Sequence, residues 1–351
     1  MSFNSLLGLG SHSAPSTLEG FYPMLDNAAS TTVLDYSGNG RDGTLAGAGN
    51  TSASTTTGPN NWNDAALDLD GTNDHIEFPS TLVDGIETSD EYTIFIFGRF
   101  DSTSGTPNIF QSTGSQHYIQ TRLNSGSFQY RLFDGSIVPT INGSSASTST
   151  WYSIAQAYGT SGIFGLKTFL DGSSDGAGGS QAANFTDLGA PEVGENSFGS
   201  VYMNGQVACL IVSSAELSSS DVADLDAGPE PIVVSGSDSV SGEERVGSTL
   251  SASGATWGLD SPYGSGTNGT ITYGYQWTRS DDGTGTNEAD ISGATSSTYT
   301  PVSADIGKYL RRRTRATNDG GFDSAADHNS TFTGAILAGA RQTLTLTGVG
   351  R

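Results

Sequence analysis

Residues 66–78 read Ala-Leu-Asp-Leu-Asp-Gly-Thr-Asn-Asp-His-Ile-Glu-Phe, and this stretch decides the fold class. Apolar and polar side chains alternate along Ala66–Asp70 and again along His75–Phe78. Alternation with a period of two is typical of half-buried strands, and the Gly71–Asp74 segment between them has turn-forming residues. The stretch therefore predicts two strands joined in a hairpin.

Strand-like segments recur on the C-terminal side of this stretch, as far as residue 228. The segment Glu91–Phe100 is rich in aromatic and β-branched residues, which favour strands. A short helix is predicted at Ser219–Asp226, with Ser219 or Ser220 as its N-cap. Because strands follow strands with few helices between them, the spacing favours a large β-sandwich. The other predicted strands are Phe128–Phe133, Trp151–Tyr158, Phe164–Leu170 and Gln206–Val212.

Two prolines around one acid, in Pro229-Glu230-Pro231, predict a short stiff linker at 229–232. New strand candidates follow it at Thr249–Ala252, Ile271–Arg279, Ser297–Thr300, Tyr309–Thr317 and Gln342–Thr347. We therefore predict an all-β chain with a leader at 1–17, a first domain at 18–228 and a second domain at 233–351.

The composition excludes some functions. The 351 residues carry a formal net charge of −23, and such a surface repels phosphate backbones. Cys209 is the single cysteine and lies in an apolar run, so we expect a buried side chain and no disulfide. Residues 1–15 lack the basic start and long apolar core of a secretory signal. We expect neither nucleic acid nor a membrane as a partner.

Five segments of the first domain carry a resemblance to a known family. They are 34–45 with its DYSGNGRDG run, 66–78, 91–100 (EYTIFIFGRF), the pair 151–155 and 170–172, and the closing segment 198–225. In this order they resemble motifs of the laminin-G-like, concanavalin A-type jelly-roll family. The resemblance implies that 18–228 form a large jelly-roll β-sandwich.

The second domain resembles bacterial and phage immunoglobulin-like modules over residues 233–333. Tyr275-Gln276-Trp277 is similar to the strand that supplies their core tryptophan, and Asp305-Ile306-Gly307-Lys308-Tyr309 is similar to their tyrosine corner. The resemblance implies a smaller immunoglobulin-like β-sandwich. Its expected structural core residues are Trp277, Tyr309 and Asp305.

Two acidic turns offer oxygen atoms of the kind that calcium prefers. Related sandwiches often hold calcium in such loops, so calcium is a possible cofactor of this chain. Asp-Gly and Asn-Gly pairs are also ordinary turn formers, and plain turns are the alternative. The candidate ligands are Asp35, Asn39, Asp70, Asn73 and Asp74.

Two further groups are candidates for docking a partner, one of which is another copy of the chain. The first is the set of apolar leader residues Phe3, Leu6, Leu7 and Leu9, which alternatively pack on the body. The second is a stripe of arginines on one strand face, Arg311, Arg313 and Arg315, which alternatively face the domain's own acids. Arg312 falls on the opposite strand face, where we expect it to reach solvent past apolar neighbours or to lie in an edge strand.

No catalytic residues are predicted. Glycoside hydrolysis needs two carboxylates that flank the scissile bond, and Glu77, Glu87 and Glu91 have no acidic partner at the sequence spacing of such enzymes. His75 is interpreted as structural. Candidate aromatics for stacking on sugar rings are Tyr118, Tyr130, Phe128, Tyr202 and Trp62.

These observations predict a non-catalytic virion protein of a tailed bacteriophage, as a head decoration, head fibre or tail-fibre component. Adhesive modules without a secretory signal or a disulfide motivate this prediction. The expected partners are other virion proteins, copies of the chain itself and surface glycans. The alternatives are a secreted, extracellular bacterial adhesin or carbohydrate-binding protein and, with less support, a glycan-degrading enzyme.

Overall fold

A computed structural model describes the chain in two compact units. Unit 1 comprises Met1–Glu230 with Leu259–Gly269 and Asp319–Phe322, and unit 2 comprises Pro231–Gly258, Thr270–Asn318 and Asp323–Arg351. The residues that the structure describes are 7, 15–25, 30–47, 66–114, 117–135, 139–159, 165–178, 183–196, 201–228, 231–259, 271–317 and 327–339.

Unit 1 is built almost entirely of short strands. The α-helices whose bounds are described are α1 (Asp84–Ser89), which follows a 3₁₀ turn at Ser80–Val83, and α2 (Ser219–Ala227). Its strands are β1 (Leu18–Tyr22), β2 (Thr32–Val33), β3 (Gly43–Ala46), β4 (Leu67–Asp70), β5 (His75–Glu77), β6 (Tyr92–Phe100), β7 (Asn108–Thr113), β8 (His117–Asn124), β9 (Ser127–Asp134), β10 (Thr140–Ser145), β11 (Trp151–Gly159), β12 (Gly165–Leu170), β13 (Ser173–Gly178), β14 (Pro191–Val193), β15 (Glu195–Asn196), β16 (Val201–Tyr202) and β17 (Asn204–Ser213).

The strands of unit 1 form two large sheets. Sheet 1 has the order β1-β17-β6-β11-β12-β13, with β4 paired to the same edge of β17 as β1. Sheet 2 has the order β10-β9-β8-β7-β14-β5-β3-β2, and β15 and β16 form a separate ribbon. The described pairings are antiparallel, which agrees with the predicted all-β sandwich.

The main core combines apolar side chains of both sheets. On β6, Ile94 and Ile96 point into this core, while Phe95 and Phe97 belong to a second cluster. Successive strand side chains point to opposite faces, so sheet 1 is covered on both sides. This explains why residues 91–100 read as a nearly continuous apolar run rather than as a strict alternation.

Helix α2 covers the outer face of sheet 1. Val222 and Leu225 of the helix pack in the second cluster with Cys209, which is a buried free thiol as predicted. The N-cap is Ser218, one residue before the predicted start, because its hydroxyl accepts the backbone N–H of Asp221. The side chain of Asp221 in turn accepts from the Ser218 backbone N–H, which completes a capping box.

The hairpin predicted from residues 66–78 is wrong. The structure contains both strands, β4 and β5, but β4 pairs with β17 in sheet 1 and β5 pairs with β3 and β14 in sheet 2. The turn at 71–74 therefore carries the chain from one sheet to the other. Alternation along a strand shows that one face is buried, and it contains no information about the neighbouring strand.

Unit 2 is a smaller all-β body. Its strands are β18 (Pro231–Ser235), β19 (Ser239–Ser241), β20 (Leu250–Ser253), β21 (Thr256–Leu259), β22 (Thr272–Ser280), β23 (Ala289–Asp290), β24 (Thr298–Tyr299), β25 (Tyr309–Thr317) and β26 (His328–Asn329), with a 3₁₀ turn at Ser303–Asp305. The second half of the predicted linker thus belongs to β18. The predicted strand Gln342–Thr347 lies outside the described residues.

The strands of unit 2 form two sheets and a ribbon. Sheet 3 has the order β19-β20-β24, sheet 4 has the order β23-β22-β25-β26, and β18 pairs with β21. A compact core contains Trp277 of β22, Leu310 of β25 and Leu250 of β20. Trp277 is fully buried, and its indole N–H donates to the carbonyl of Ser296, so this side chain is a core residue as predicted.

Candidate functional site

A pocket of about 350 Å³ opens at one end of unit 1. Three parts of the chain form it: the 71–74 turn, the loop from β6 to β7, and β16 with the first residue of β17. This volume is near the lower end of the range for small-molecule sites in proteins. We call it the Tyr202 pocket, and its lining includes Thr72, Ser102, Ser104, Val201, Tyr202 and Asn204.

Local hydrogen bonds hold the 71–74 turn of the Tyr202 pocket. The carboxylate of Asp70 accepts the backbone N–H groups of Thr72 at 2.7 Å and of Asn73 at 3.3 Å, which shapes the turn. Gly71 has a φ of 75°, and a Cβ there would lie 2.7 Å from the Cβ of Asn204. Glycine is therefore required at position 71, since a side chain there would be strained and would close the pocket.

Tyr202 is the aromatic wall of this pocket. Its hydroxyl donates to Glu195 at 3.3 Å, and its ring centroid lies 5.9 Å from that of His75. Partial desolvation and the neighbouring Glu195 carboxylate raise the pKa of the Tyr202 phenol. The phenol therefore stays protonated at neutral pH and acts as a hydrogen-bond donor. His75 in turn lies 3.1 Å from Glu195 and 3.0 Å from the carbonyl of Asn73.

Two carboxylates lie opposite each other beside this site. Glu77 of β5 pairs in register with Glu192 of β14, and both point away from the core of sheet 2. Glu192 accepts from the amide of Gln111 at 2.5 Å, whereas the side chain of Glu77 is 57% exposed. The local sequence around Glu77 shows no acidic partner, because the pairing joins residues 115 positions apart in the chain. Glu87 instead accepts the backbone N–H of Leu188.

The calcium candidates of the first turn act as hydrogen-bond partners for the backbone. Asp35 accepts the backbone N–H groups of Phe21, Ser37 and Arg41 at 2.9–3.2 Å. The amide nitrogen of Asn39 donates to the carbonyl of Leu18 at 2.8 Å. These contacts tie the turn to β1 and support the interpretation of plain turns.

In the second turn the three candidate residues lie within one five-residue segment. Asp74 is buried and accepts the backbone N–H of Asp70 at 3.1 Å, while the carbonyl of Asn73 faces His75. The backbone N–H of Thr72 makes the largest contribution to lowering the pKa of Asp70. Across the described ranges, no group of three or more His, Cys, Asp or Glu side chains is placed to hold a metal ion. Calcium binding stays a prediction.

Replacing Asp35 by alanine tests these two interpretations. We expect the free energy of unfolding to fall by about 1–3 kcal/mol, because three backbone donors lose their acceptor. The measurement is urea unfolding in parallel buffers with calcium and with a chelator. An equal loss in both buffers supports the turn, and a loss confined to the calcium buffer shows a metal site.

The arginine stripe is paired with acids of unit 2. Arg311 forms a two-point contact with Glu288, through Nε at 2.8 Å and Nη2 at 2.5 Å. Arg313 contacts Asp290, and Arg315 lies 3.0 Å from Asp327. These pairs agree with the alternative that the arginines face the domain's own acids, while docking of a partner stays a prediction.

Arg312 was expected either to reach solvent past apolar neighbours or to lie in an edge strand, and the structure shows neither. It is 6% exposed, and its strand β25 has a neighbour on each side. Its guanidinium lies 3.0 Å from the carboxylate of Asp238, which is also buried. The residue therefore forms a buried ion pair instead of extending into solvent. The sequence carried no signal for a partner 74 positions away.

In unit 2 the hydrogen bond expected of Tyr309 is made by Tyr299 instead. Asp305 is buried as predicted, but it accepts the hydroxyl of Tyr299 at 2.8 Å. Tyr309, which was predicted to form the tyrosine corner, is only half-buried and packs near Gly283. Tyr299 thus makes the hydrogen bond to the 303–305 turn.

The remaining candidates are placed as follows. Leu7 is 2% exposed and packs in the second cluster of unit 1, which favours packing on the body over docking for this side chain. Phe128 and Tyr130 are core residues, whereas Tyr118 is half-buried on the outer face of sheet 2. Phe3, Leu6, Leu9 and Trp62 lie outside the described residues. Within the described part of the chain, no helix is long and apolar enough to span a bilayer.

Comparison with solved structures finds partial similarity at low sequence identity. Domain 4 of the arabinanase AbnA from Geobacillus stearothermophilus is 19% identical, covers 60% of this chain and 98% of its own, and has a TM-score of 0.42. The CBM40 of the Ruminococcus gnavus IT-sialidase is 14% identical over 46% of this chain and 96% of its own, with a TM-score of 0.39. The receptor-binding domain of botulinum neurotoxin C/D mosaic serotype is 12% identical over 87% and 72%, with a TM-score of 0.47.

Comparison with curated proteins finds no match. Residues 70–223 match the family model Laminin_G_3, described as the concanavalin A-like lectin/glucanases superfamily. This range contains β5 to β17, and it includes the whole Tyr202 pocket. Residues 70–223 of unit 1 are therefore similar to the concanavalin A-like lectin/glucanases superfamily, and the two antiparallel sheets of unit 1 agree with a β-sandwich fold.

Proposed function

We propose that unit 1 is a non-catalytic saccharide-binding module and that the Tyr202 pocket is its binding site. The observation that carries the proposal is the placement of one aromatic ring among small polar side chains, inside the range that matches a lectin-containing superfamily. An aromatic face packs against the C–H face of a sugar ring, and hydroxyl and amide groups bond to its hydroxyls.

The negative charge at and around the site indicates which class of saccharide it binds. Glu195 accepts from Tyr202 inside the site, and the chain as a whole carries a net charge of −23. Both features repel anionic ligands. The proposed ligand is therefore a neutral or basic sugar rather than an acidic or sulfated one.

Replacing Tyr202 by alanine tests the proposal directly. We expect the affinity for a bound saccharide to fall roughly fivefold, because one stacking contact is worth about 1 kcal/mol. The measurement is a glycan array with the full chain, followed by calorimetry with the best soluble hit. Tyr36→Ala is the control, since Tyr36 is 37% exposed and lies outside the pocket. Equal binding by the wild-type and Tyr202→Ala chains contradicts the proposal.

A glycan-degrading activity is the second candidate, and the register of Glu77 opposite Glu192 is the observation that favours it. A retaining glycosidase needs two carboxyl groups about 5–5.5 Å apart across the substrate. We expect no hydrolysis, because Glu77 is largely exposed and Glu192 is engaged by Gln111. Release of reducing ends that disappears in Glu192→Gln, but not in Glu87→Gln, assigns a catalytic role to the pair.

For the biological setting we retain the virion surface of a tailed bacteriophage, with many copies compensating for weak single sites. The support is the sequence-level combination of predicted adhesive modules with a single cysteine, which excludes an intrachain disulfide. Mass spectrometry of purified particles tests it, since the protein must be present in virions. A secreted adhesin remains the alternative. We also retain the immunoglobulin-like interpretation of unit 2, which is supported by its two antiparallel sheets around Trp277.

A further inference from the structure

Strand β22 of unit 2 carries three aromatic residues on one face. Tyr273, Tyr275 and Trp277 are spaced by two, so their side chains share the face that builds the core. Trp277 is fully buried, whereas Tyr273 is 44% exposed. The face that forms the core at one end of the strand is therefore open to solvent at the other end.

A groove of about 360 Å³ occupies this open end. Trp257 stands edge-on to Tyr273, with ring centroids 6.1 Å apart and an interplanar angle of 62°. Tyr273 and Tyr275 are nearly parallel, with centroids 6.5 Å apart and an angle of 17°. We call this the Trp257 groove, and its walls are thus aromatic on two sides.

The floor of the Trp257 groove is polar and charged. Arg312 and Asp238 line it, and they are only 6% and 3% exposed. The guanidinium of Arg312 lies over the ring of Tyr275, with its central carbon 4.5 Å from the ring centroid. Asp238 accepts the backbone N–H of Ala255 at 2.9 Å through its other oxygen.

The donors of Arg312 are only partly used by the described residues. Of its five N–H groups, three donate within the described ranges: to Thr314 at 3.2 Å, to the carbonyl of Ser297 at 3.2 Å and to Asp238 at 3.0 Å. A ligand in the groove can accept from the others. Because the guanidinium is held in place from several sides, such a bond costs little conformational entropy.

We propose that the Trp257 groove is a second saccharide site, for a neutral sugar ring. The aromatic walls suit the apolar face of the ring, and the Arg312–Asp238 floor suits its hydroxyl groups as donor and acceptor. The ion pair is neutral overall and the chain is strongly acidic, so an anionic ligand is disfavoured. The site is independent of the Tyr202 pocket, since all its residues belong to unit 2.

A second site changes how the chain binds a glycan surface. Two weak sites on one polypeptide raise the effective concentration of the second contact once the first has formed. The chain would then hold a polysaccharide more tightly than either unit alone. A substitution that removes one site would then cause only a partial loss of glycan binding.

The test uses the full chain and an array of neutral glycans. Six proteins are compared: the wild type, Tyr202→Ala, Tyr273→Ala, the double variant Tyr202→Ala with Tyr273→Ala, Tyr273→Phe and, as a surface control, Tyr36→Ala. We expect Tyr202→Ala to keep part of the binding, and the double variant to lose roughly fivefold of the remaining affinity. Tyr273→Phe keeps the ring and should bind as the wild type does.

The outcomes separate the two sites. The second site is wrong if Tyr273→Ala binds every glycan as strongly as the wild type, whatever Tyr202→Ala does. It is also wrong if Tyr202→Ala alone abolishes all binding. A folding defect is recognised by the thermal midpoint, which we expect to stay that of the wild type because Tyr273 is largely exposed.

Discussion

Replacing Arg312 by alanine will lower the free energy of unfolding of unit 2 by about 3–5 kcal/mol, because it leaves the Asp238 carboxylate buried without its cation. Urea unfolding measures the loss, and hydrogen exchange along Tyr309–Thr317 places it in the structure. The large effect follows from burial, since taking a lone charge out of water costs far more than a surface pair contributes.

Two variants control for other effects of this substitution. Arg315→Ala removes a pair whose arginine is 49% exposed, and we expect a loss of about 1 kcal/mol or less. The double variant Arg312→Met with Asp238→Leu removes both charges together and should recover most of the lost stability. Equal losses for Arg312→Ala and Arg315→Ala would contradict the internal ion pair.

Replacing Phe128 by alanine will lower the stability of unit 1 by about 3–5 kcal/mol, because it opens a cavity in a fully buried aromatic cluster. The ring of Phe128 lies 5.9 Å from that of Phe100 and 5.2 Å from that of Tyr152. Thermal unfolding with calorimetric detection measures the change. Close packing on all sides prevents the neighbours from filling the space.

Tyr118→Ala is the matched control for Phe128→Ala. Tyr118 stacks on Phe133 and under Arg131 on the outer face of sheet 2, and it is half-buried. We expect a loss of about 1 kcal/mol or less, since the site stays open to water. The two residues were equal candidates for sugar stacking in the sequence, so a large loss for both would show that this outer face is also part of a core.

Much of the strand content could be predicted from local pattern. The strand Tyr309–Thr317 was predicted with its observed bounds, and Trp151–Tyr158 was short by one residue. Both strands alternate or carry dense apolar side chains, and these local properties follow from which face is buried. The helix α2 was equally predictable from sequence, because its cap and its acidic first turn are adjacent in the chain.

The candidate site could be predicted only in pieces. Tyr202 and the turn after Asp70 were both noted, for stacking and for calcium, but nothing in the sequence placed them together. Their neighbourhood results from the pairing of β17 with β4, which joins Asn204 to Asp70. Such pairings depend on the packing of whole sheets, and no short segment determines them.

The all-β class of the chain follows from local patterns, since the period of two, the turn residues and the capping signals act over a few neighbouring residues. Three features appear only in the folded protein: β4 and β5 belong to different sheets, Glu77 faces Glu192, and Arg312 has an internal partner in Asp238. These contacts join residues far apart in the chain. They form because each sheet must bury its apolar face, and that requirement acts on the folded body as a whole.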